Sequence, residues 1–455
     1  MLTQEQAKKI TEKVFYYSRN KKGGKRLVDE AEVILVNSDQ SLTRYANNVV
    51  TQNVQESNIT ELVVRLIKAG KVARATTNKM DDASLKKLVN DTAELIRYQK
   101  QDKKMMPLAG KQTYRALDNY VDKTASFSVH DRVETIRKAV NECEKRGLAG
   151  SGIFSNGAGV LVIANSKGLF AYHKETQSEL TLTALTNDSS GWANEQHKDA
   201  TQINPQVVAR TAIDKALRSQ NPVTLPAGNY TVIFEPAAVT NFLLFMAWQG
   251  FSALTYQEGR SFLSGKMGKQ LLGNNITIID NVYYPQSLGA PFDFEGMPEK
   301  DVVLIEHGIA KNVVYDRETA LKAKTTSTGH ALPQPNPHGP LPSNLVLMPG
   351  DSSLEKMIKS TQKGILVTQL HYTNLVEPMK LVLTGMTRNG TFLIENGQVT
   401  RGIKNMRFTE SIVKTLSNVE MISKDCKYDN AFFGGGFVVP VLKVKDFNFS
   451  SETKF

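Results

Sequence analysis

The chain has 455 residues, 40% hydrophobic and 22% charged, and a formal net charge of +11. That length accommodates two or three domains with a generous core. Only Cys143 and Cys426 occur, far apart, which excludes a disulfide framework and suits a reducing compartment. The net charge invites a nucleic-acid reading, but the basic runs Arg19–Arg26 and Lys100–Lys104 are broken by glycine or acid and carry no interleaved aromatics. They read as solvated loops, and nucleic acid is not an expected partner.

In chain order, residues 4 to 19 predict an amphipathic helix with Ile10, Val14 and Tyr17 on its apolar side. That opening is no charged n-region followed by an apolar run, so no signal peptide is expected and the chain reads as cytoplasmic. Short strands follow at Ala31–Asn37 and Ser41–Asn47, then a hairpin over 58 to 78 turning at Lys68–Lys71. A helix from Asp82 to Tyr98 closes this piece, and the basic stretch 100 to 114, broken by Pro107 and Gly110, is a linker or a surface loop. A second piece opens with a helix from Val129 to Arg146, capped by Ser128 and ended by Gly147. Residues 150 to 186 alternate and read as a meander turning at Ser155–Gly157 and Asn165–Gly168; a helix from Asn204 to Ser219 follows.

The most informative stretch begins at Tyr230. A strand over Tyr230–Phe234 leads to Pro236 at the start of a helix, and from there to Gln257 no residue is charged. Apolar side chains fall on every face, among them Val239, Phe242, Leu243, Phe245, Met246, Trp248 and Phe251. Such a helix is buried on all sides. Thr240, Asn241, Gln249, Gly250 and Ser252 interrupt it, and no basic anchor precedes Arg260, so it is a core helix rather than a membrane span. Beyond it, strands recur about every ten residues and predict a curled antiparallel sheet or barrel. The loop 331 to 344, with five prolines, cannot join a sheet interior; surface packing or lining of a cleft are its two readings.

The run Gly259–Gly268 (GRSFLSGKMG) resembles the TldD/PmbA family, the so-called modulators of DNA gyrase. So do 304 to 320, STGHA at 327 to 331, and the stretches 344 to 358, 363 to 370 and 392 to 399, in the family's order. The resemblance implies a zinc metallopeptidase scaffold whose catalytic subunit carries His-Glu-x-x-x-His on the buried helix: two imidazoles hold zinc and the carboxylate activates its water. The matching positions here are Phe245, Met246 and Gly250. Phenylalanine has no donor atom, and a thioether is too soft for hydrolytic zinc. The family's cysteine ligand falls in the region matching 431 to 442, where there is no cysteine. The chain therefore resembles the family's non-metal, TldE-like subunits, with a degenerate active site. Trp248 and the glycines Gly434, Gly435 and Gly436 are candidates for lining the former cleft.

Other motifs carry less. The glycines at 147, 150 and 152 precede strands and do not make a dinucleotide loop; Gly259–Met267 has the wrong spacing for a phosphate loop; no Gly-x-Ser-x-Gly occurs. None of the seven histidines has a second ligand at helical spacing, and a metal site assembled from distant histidines is left open.

The expected fold is α+β: an N-terminal mixed α/β region in two pieces (1–99 and 123–220), then a strand-rich C-terminal domain (221–455) around one central buried helix. The expected function is that of a non-catalytic subunit in a zinc metalloprotease assembly acting on unfolded or leader peptides. No catalytic or metal residue is expected here, zinc being in the partner. That partner is a TldD-like catalytic subunit or a second copy of the chain. The alternative is a stand-alone homo-oligomeric protein binding peptide or nucleic acid on the same scaffold.

Overall fold

A computed structural model describes residues 1–19, 26–430 and 436–453. The N-terminal half opens with helix α1 (Gln4–Arg19), strands β1 (Glu30–Ala46), β2 (Val49–Lys68) and β3 (Lys71–Thr77), and helix α2 (Asp82–Leu95). It continues through α3 (Asp122–Ala125), α4 (Val129–Glu144), β4 (Ala149–Asn165), β5 (Phe170–Leu185), β6 (Ser190–His197) and α5 (Pro205–Arg218). The six strands form one antiparallel sheet in the order β3-β2-β1-β4-β5-β6, so the two predicted pieces share a sheet.

The helices start where their caps dictate. Asp81 accepts from Ser84 N at α2, Ser128 and Asp131 form a reciprocal capping box at α4, and Asn204 precedes Pro205 at α5. Alternation then sorts the sheet's two faces. Val33, Leu35, Phe154, Val160, Val162, Leu180 and Leu182 pack under the helices. The opposite face carries Ile34, Ile163 and Ala171, which pack with Phe292 of the C-terminal half, together with a row of polar side chains.

Two expectations are corrected. Glu30–Ala46 form one strand, bulged between Ser38 and Gln40, where two were expected. Nor does the chain turn at 155 to 157. β4 runs through in register with Ser41 and Gln40, and Asn156 is buried, accepting from Arg132 Nη1 at 3.1 Å and donating to the Thr124 carbonyl at 3.0 Å. Polar burial overrode the turn propensity of Asn-Gly.

The C-terminal half runs β7 (Gly228–Phe234), α6 (Pro236–Gln249), α7 (Ala253–Gln257), β8 (Ile278–Asp280), β9 (Val302–Glu306), β10 (Ile309–Ala310), α8 (Arg317–Lys322), β11 (Leu345–Leu347), α9 (Leu354–Lys359) and β12 (Lys363–Glu377). It ends with β13 (Val382–Glu395), β14 (Gln398–Gly402), β15 (Met406–Ser411), α10 (Ile412–Ser417), β16 (Val419–Asn430) and β17 (Gly436–Glu452). Pairing runs β17-β15-β13-β12-β7 and returns from β7 to β17, closing a ring of five strands. The sheet is mixed, since β7/β12 and β11/β17 are parallel. Phe234, Phe242, Phe408, Phe447 and Phe449 join the ring to α6, with Phe234 and Phe447 edge to face at 4.9 Å. The chain is thus α+β, with a strand-rich C-terminal half around a buried helix. Among the described residues no helix is long and apolar enough to cross a membrane.

Candidate functional site

α6 begins where β7 ends and lies against β12, β16 and β17. Phe245 and Met246 are both buried, and Phe245 meets Trp248 edge to face at 6.0 Å. Gly250 closes the helix, and its carbonyl accepts from the Ser261 hydroxyl at 2.7 Å. A Cβ added there would lie 1.9 Å from Cε1 of Phe262, itself buried and edge to face with Phe251. The three helix positions thus offer a ring, a thioether and a space already filled. They do not fit a catalytic zinc, and no metal-dependent step is derived for them.

Cys426 does not substitute. It lies on β16 opposite Pro440, and burial pushes its thiol up to about 11. Of the three candidate glycines, Gly434 and Gly435 lie outside the described residues. Gly436 begins β17, and a Cβ there would come 1.8 Å from the Tyr428 hydroxyl, so glycine lets that ring lie across the strand. Trp248 is 37% exposed and lines a cavity of about 430 Å³ with Arg260, Leu332, Pro337, His338 and Gly339. The proline-rich loop supplies one of that cavity's walls.

A cavity of about 700 Å³ lies between the polar face of the six-stranded sheet and the other side of α6. Phe245, Thr240 and Asn241 line it from the helix, Glu179, Trp192, Asn194 and Gln196 from β5 and β6, and Asp429 from β16. Its charges are held in a network. Asn194 donates to Asp429 at 2.9 Å and accepts from Lys427 at 2.8 Å, and Gln196 donates to Glu179 at 2.9 Å. Burial raises the carboxyls of Glu179 and Asp429 above their ordinary range and lowers the Lys427 ammonium. Nearby, Lys215 of α5 pairs with Glu235, the residue before α6. None of these polar residues stood out in the sequence, because they alternate on strands like any solvent-facing row.

One wall of this cavity is a strand edge. β12 pairs with β7 only over Gly364–Val367; beyond Phe234 the chain turns into α6. Gln369–Asn374 line the cavity, and among the described residues no strand pairs with them on the side that β7 vacates. The strand bulges between His371 and Asn374, with Tyr372 at φ 51° and 73% exposed.

The description "PmbA/TldA metallopeptidase domain 1" matches residues 31–96, the corresponding central domain 116–220 and the C-terminal domain 227–451. The chain belongs to the PmbA/TldD family. It is similar to a metalloprotease of Methanothermobacter thermautotrophicus, 25% identical over 291 residues, which are 61% of this chain and 63% of that one. The chain thus spans less than two thirds of that relative. The metalloprotease PmbA homolog of Haemophilus influenzae is 22% identical over 412 residues, covering 86% and 87% of the two chains. In fold, the crystal structure of TldE from Thermococcus kodakarensis superposes with a TM-score of 0.86 at 20% identity, covering 96% of this chain and 99% of that one.

Proposed function

We propose that this chain is a non-catalytic subunit of a PmbA/TldD-type zinc metallopeptidase assembly. In this reading it pairs with a metal-bearing relative or with a second copy, and holds an unfolded or leader-type peptide extended in the cavity beside α6. The observation that carries the reading is the packing of Phe262 into the space of a side chain at Gly250. In this reading the scaffold keeps its helix with apolar atoms at the metal position, an arrangement that leaves no unsatisfied polar group there. The vacated edge of β12 supports the peptide-holding part. An unpaired row of backbone N–H and C=O groups beside a cavity is what strand addition uses, with affinity coming from the main chain and selectivity from alternate side chains.

The experiment is a mixing assay on unfolded peptide: the purified chain alone, and with a His-Glu-x-x-x-His relative from the same genome. Cleavage in the mixture that exceeds either component supports the reading. Cleavage by the chain alone removes it. A stand-alone peptide-binding protein is the second reading, favoured by the fact that cavity and edge lie wholly within one chain. It predicts full peptide affinity without any partner.

A further inference from the structure

A second cavity, of about 510 Å³, lies between the polar face of the six-stranded sheet and the C-terminal half, remote in sequence from α6. Glu299, before β9, and His330, in the STGHA stretch, line it, and Asp280 at the end of β8 meets them behind its wall. All three are buried, and one ligand atom from each lies within 4.8 Å of the other two. Asp280 Oδ1 and His330 Nε2 are 2.9 Å apart. Among the described residues neither carboxylate pairs with lysine or arginine, so two acidic groups sit out of water with one imidazole as their company.

Both ring nitrogens of His330 face oxygen: Thr328 Oγ1 lies 2.9 Å from Nδ1 and Asp280 Oδ1 2.9 Å from Nε2. Thr328 Oγ1 is itself fixed, accepting from the Tyr315 N–H at 2.7 Å. In the tautomer that donates from Nδ1 to Thr328, Nε2 presents its lone pair to an ion beside Asp280. Ligating histidines commonly use the far N–H in this way, bound to a fixed oxygen. Asn344 orients both carboxylates, donating from its backbone N–H to Asp280 Oδ2 at 3.0 Å and from Nδ2 to Glu299 Oε1 at 2.8 Å.

A further group points to a ligand. His173, from the sheet on the other side, lines the same cavity and is 5% exposed, yet its Nε2 makes no hydrogen bond; the nearest charge is Glu175 Oε2 at 3.7 Å.

We propose that Asp280, Glu299 and His330 form a binding site for one divalent first-row transition ion, of the zinc or manganese kind, distinct from the helix position at Phe245, Met246 and Gly250. The donor set of two carboxylate oxygens and one imidazole nitrogen is hard to borderline, which selects Zn²⁺ or Mn²⁺ over Cu⁺. Ligand atoms about 2.1 Å from such an ion are roughly 3.4 Å apart in tetrahedral and roughly 3 Å apart in octahedral geometry, so Asp280 and His330, at 2.9 Å, need move by no more than about half an ångström to share it. The cavity leaves room for water ligands. Bound there, the ion fastens the 327–344 loop to β8 and completes the contact between the two halves of the chain.

The test is metal uptake by the intact chain after dialysis against EDTA, with zinc and manganese added separately and bound metal counted by mass spectrometry. One ion per chain is expected. Glu299→Gln keeps size and hydrogen bonding and should weaken uptake by roughly 10–100-fold while melting like the metal-free wild type. His330→Gln should do the same. Uptake well below one per chain by the wild type, or equal uptake by Glu299→Gln, overturns the proposal. Should the variants not fold, the visible spectrum of the cobalt-loaded wild type decides. Bands of a nitrogen- and oxygen-ligated ion support the site, and their absence overturns it. Peptide cleavage plays no part in this readout, so its outcome is separate from that of the subunit reading.

Discussion

The ring of Phe262 occupies the space into which a side chain at Gly250 would project, its Cε1 1.9 Å from the ideal Cβ position. Eleven residues separate the two in sequence, and the contact forms because Ser261 anchors to the Gly250 carbonyl at 2.7 Å. Gly250→Ala should therefore destabilise the chain by about 1–3 kcal/mol through overpacking, measured by denaturant unfolding. Phe262→Ala in the same chain should return part of that loss. Equal stability of Gly250→Ala and wild type would contradict the packing account.

Restoring the family's ligands should fail for the same reason. A chain carrying Phe245→His, Met246→Glu and Gly250→His should take up no additional zinc beyond the wild type unless Phe262 is also truncated. Metal counting on the triple and quadruple variants checks this.

The cavity beside α6 should lose peptide when filled from its own wall. Asn241 lies on α6, part-buried, its amide donating to the Ala237 carbonyl at 3.0 Å. Asn241→Trp should weaken binding of an unfolded peptide by tenfold or more, about 1.4 kcal/mol, with the melting temperature little changed. Unaltered affinity, measured by fluorescence anisotropy, would place the peptide elsewhere.

Asn194 bridges Asp429 and Lys427 across the junction of β6 and β16. Asn194→Leu takes the amide from both buried charges, leaving Lys427 the residue-194 carbonyl alone, and should cost roughly 1–3 kcal/mol. Thermal unfolding checks it, and a loss below half a kcal/mol would mean water already satisfies the pair.

Stability should fall as pH rises from about 4.5 to 7. Burial pushes the Glu295 carboxyl up to about 7 against the opposing pull of Arg317. Within that window the unfolded chain has released the proton while the folded chain keeps it. The stabilisation is complete below the unfolded pKa and gone above the folded one. Asp293, pushed up to about 8 by burial despite backbone N–H groups from Glu295, Met297 and Ala331, acts with the same sign. Glu295→Gln should flatten the curve by up to about 3 kcal/mol, read from unfolding midpoints across pH.

The sequence made α6 legible because a charge-free run from Pro236 to Gln257 has few homes other than a core. It also displayed Phe245, Met246 and Gly250 on that helix, whose lack of hard donor atoms needs no coordinates to be noticed. The filling by Phe262 was not legible, because which side chain enters a vacant space depends on tertiary packing. The polar face of the six-stranded sheet misled in a specific way. His173, Glu179, Asn194 and Gln196 alternate like a solvated row, yet the C-terminal half covers them. The Asp280, Glu299 and His330 cluster spans fifty residues and follows no spacing rule, so only the fold assembles it. The Asn156-Gly157 pair shows the converse: a strong local turn signal yielded to a buried hydrogen-bond network.

The central claim is that this chain has no peptidase of its own and contributes to one. The most direct measurement is cleavage of an unfolded peptide by the purified chain, alone and mixed with a His-Glu-x-x-x-His relative from the same genome, with cleavage rather than metal content as the readout. The account predicts no turnover alone and chelator-sensitive turnover in the mixture above that of the relative by itself. Chelator-sensitive turnover by the chain alone would contradict it.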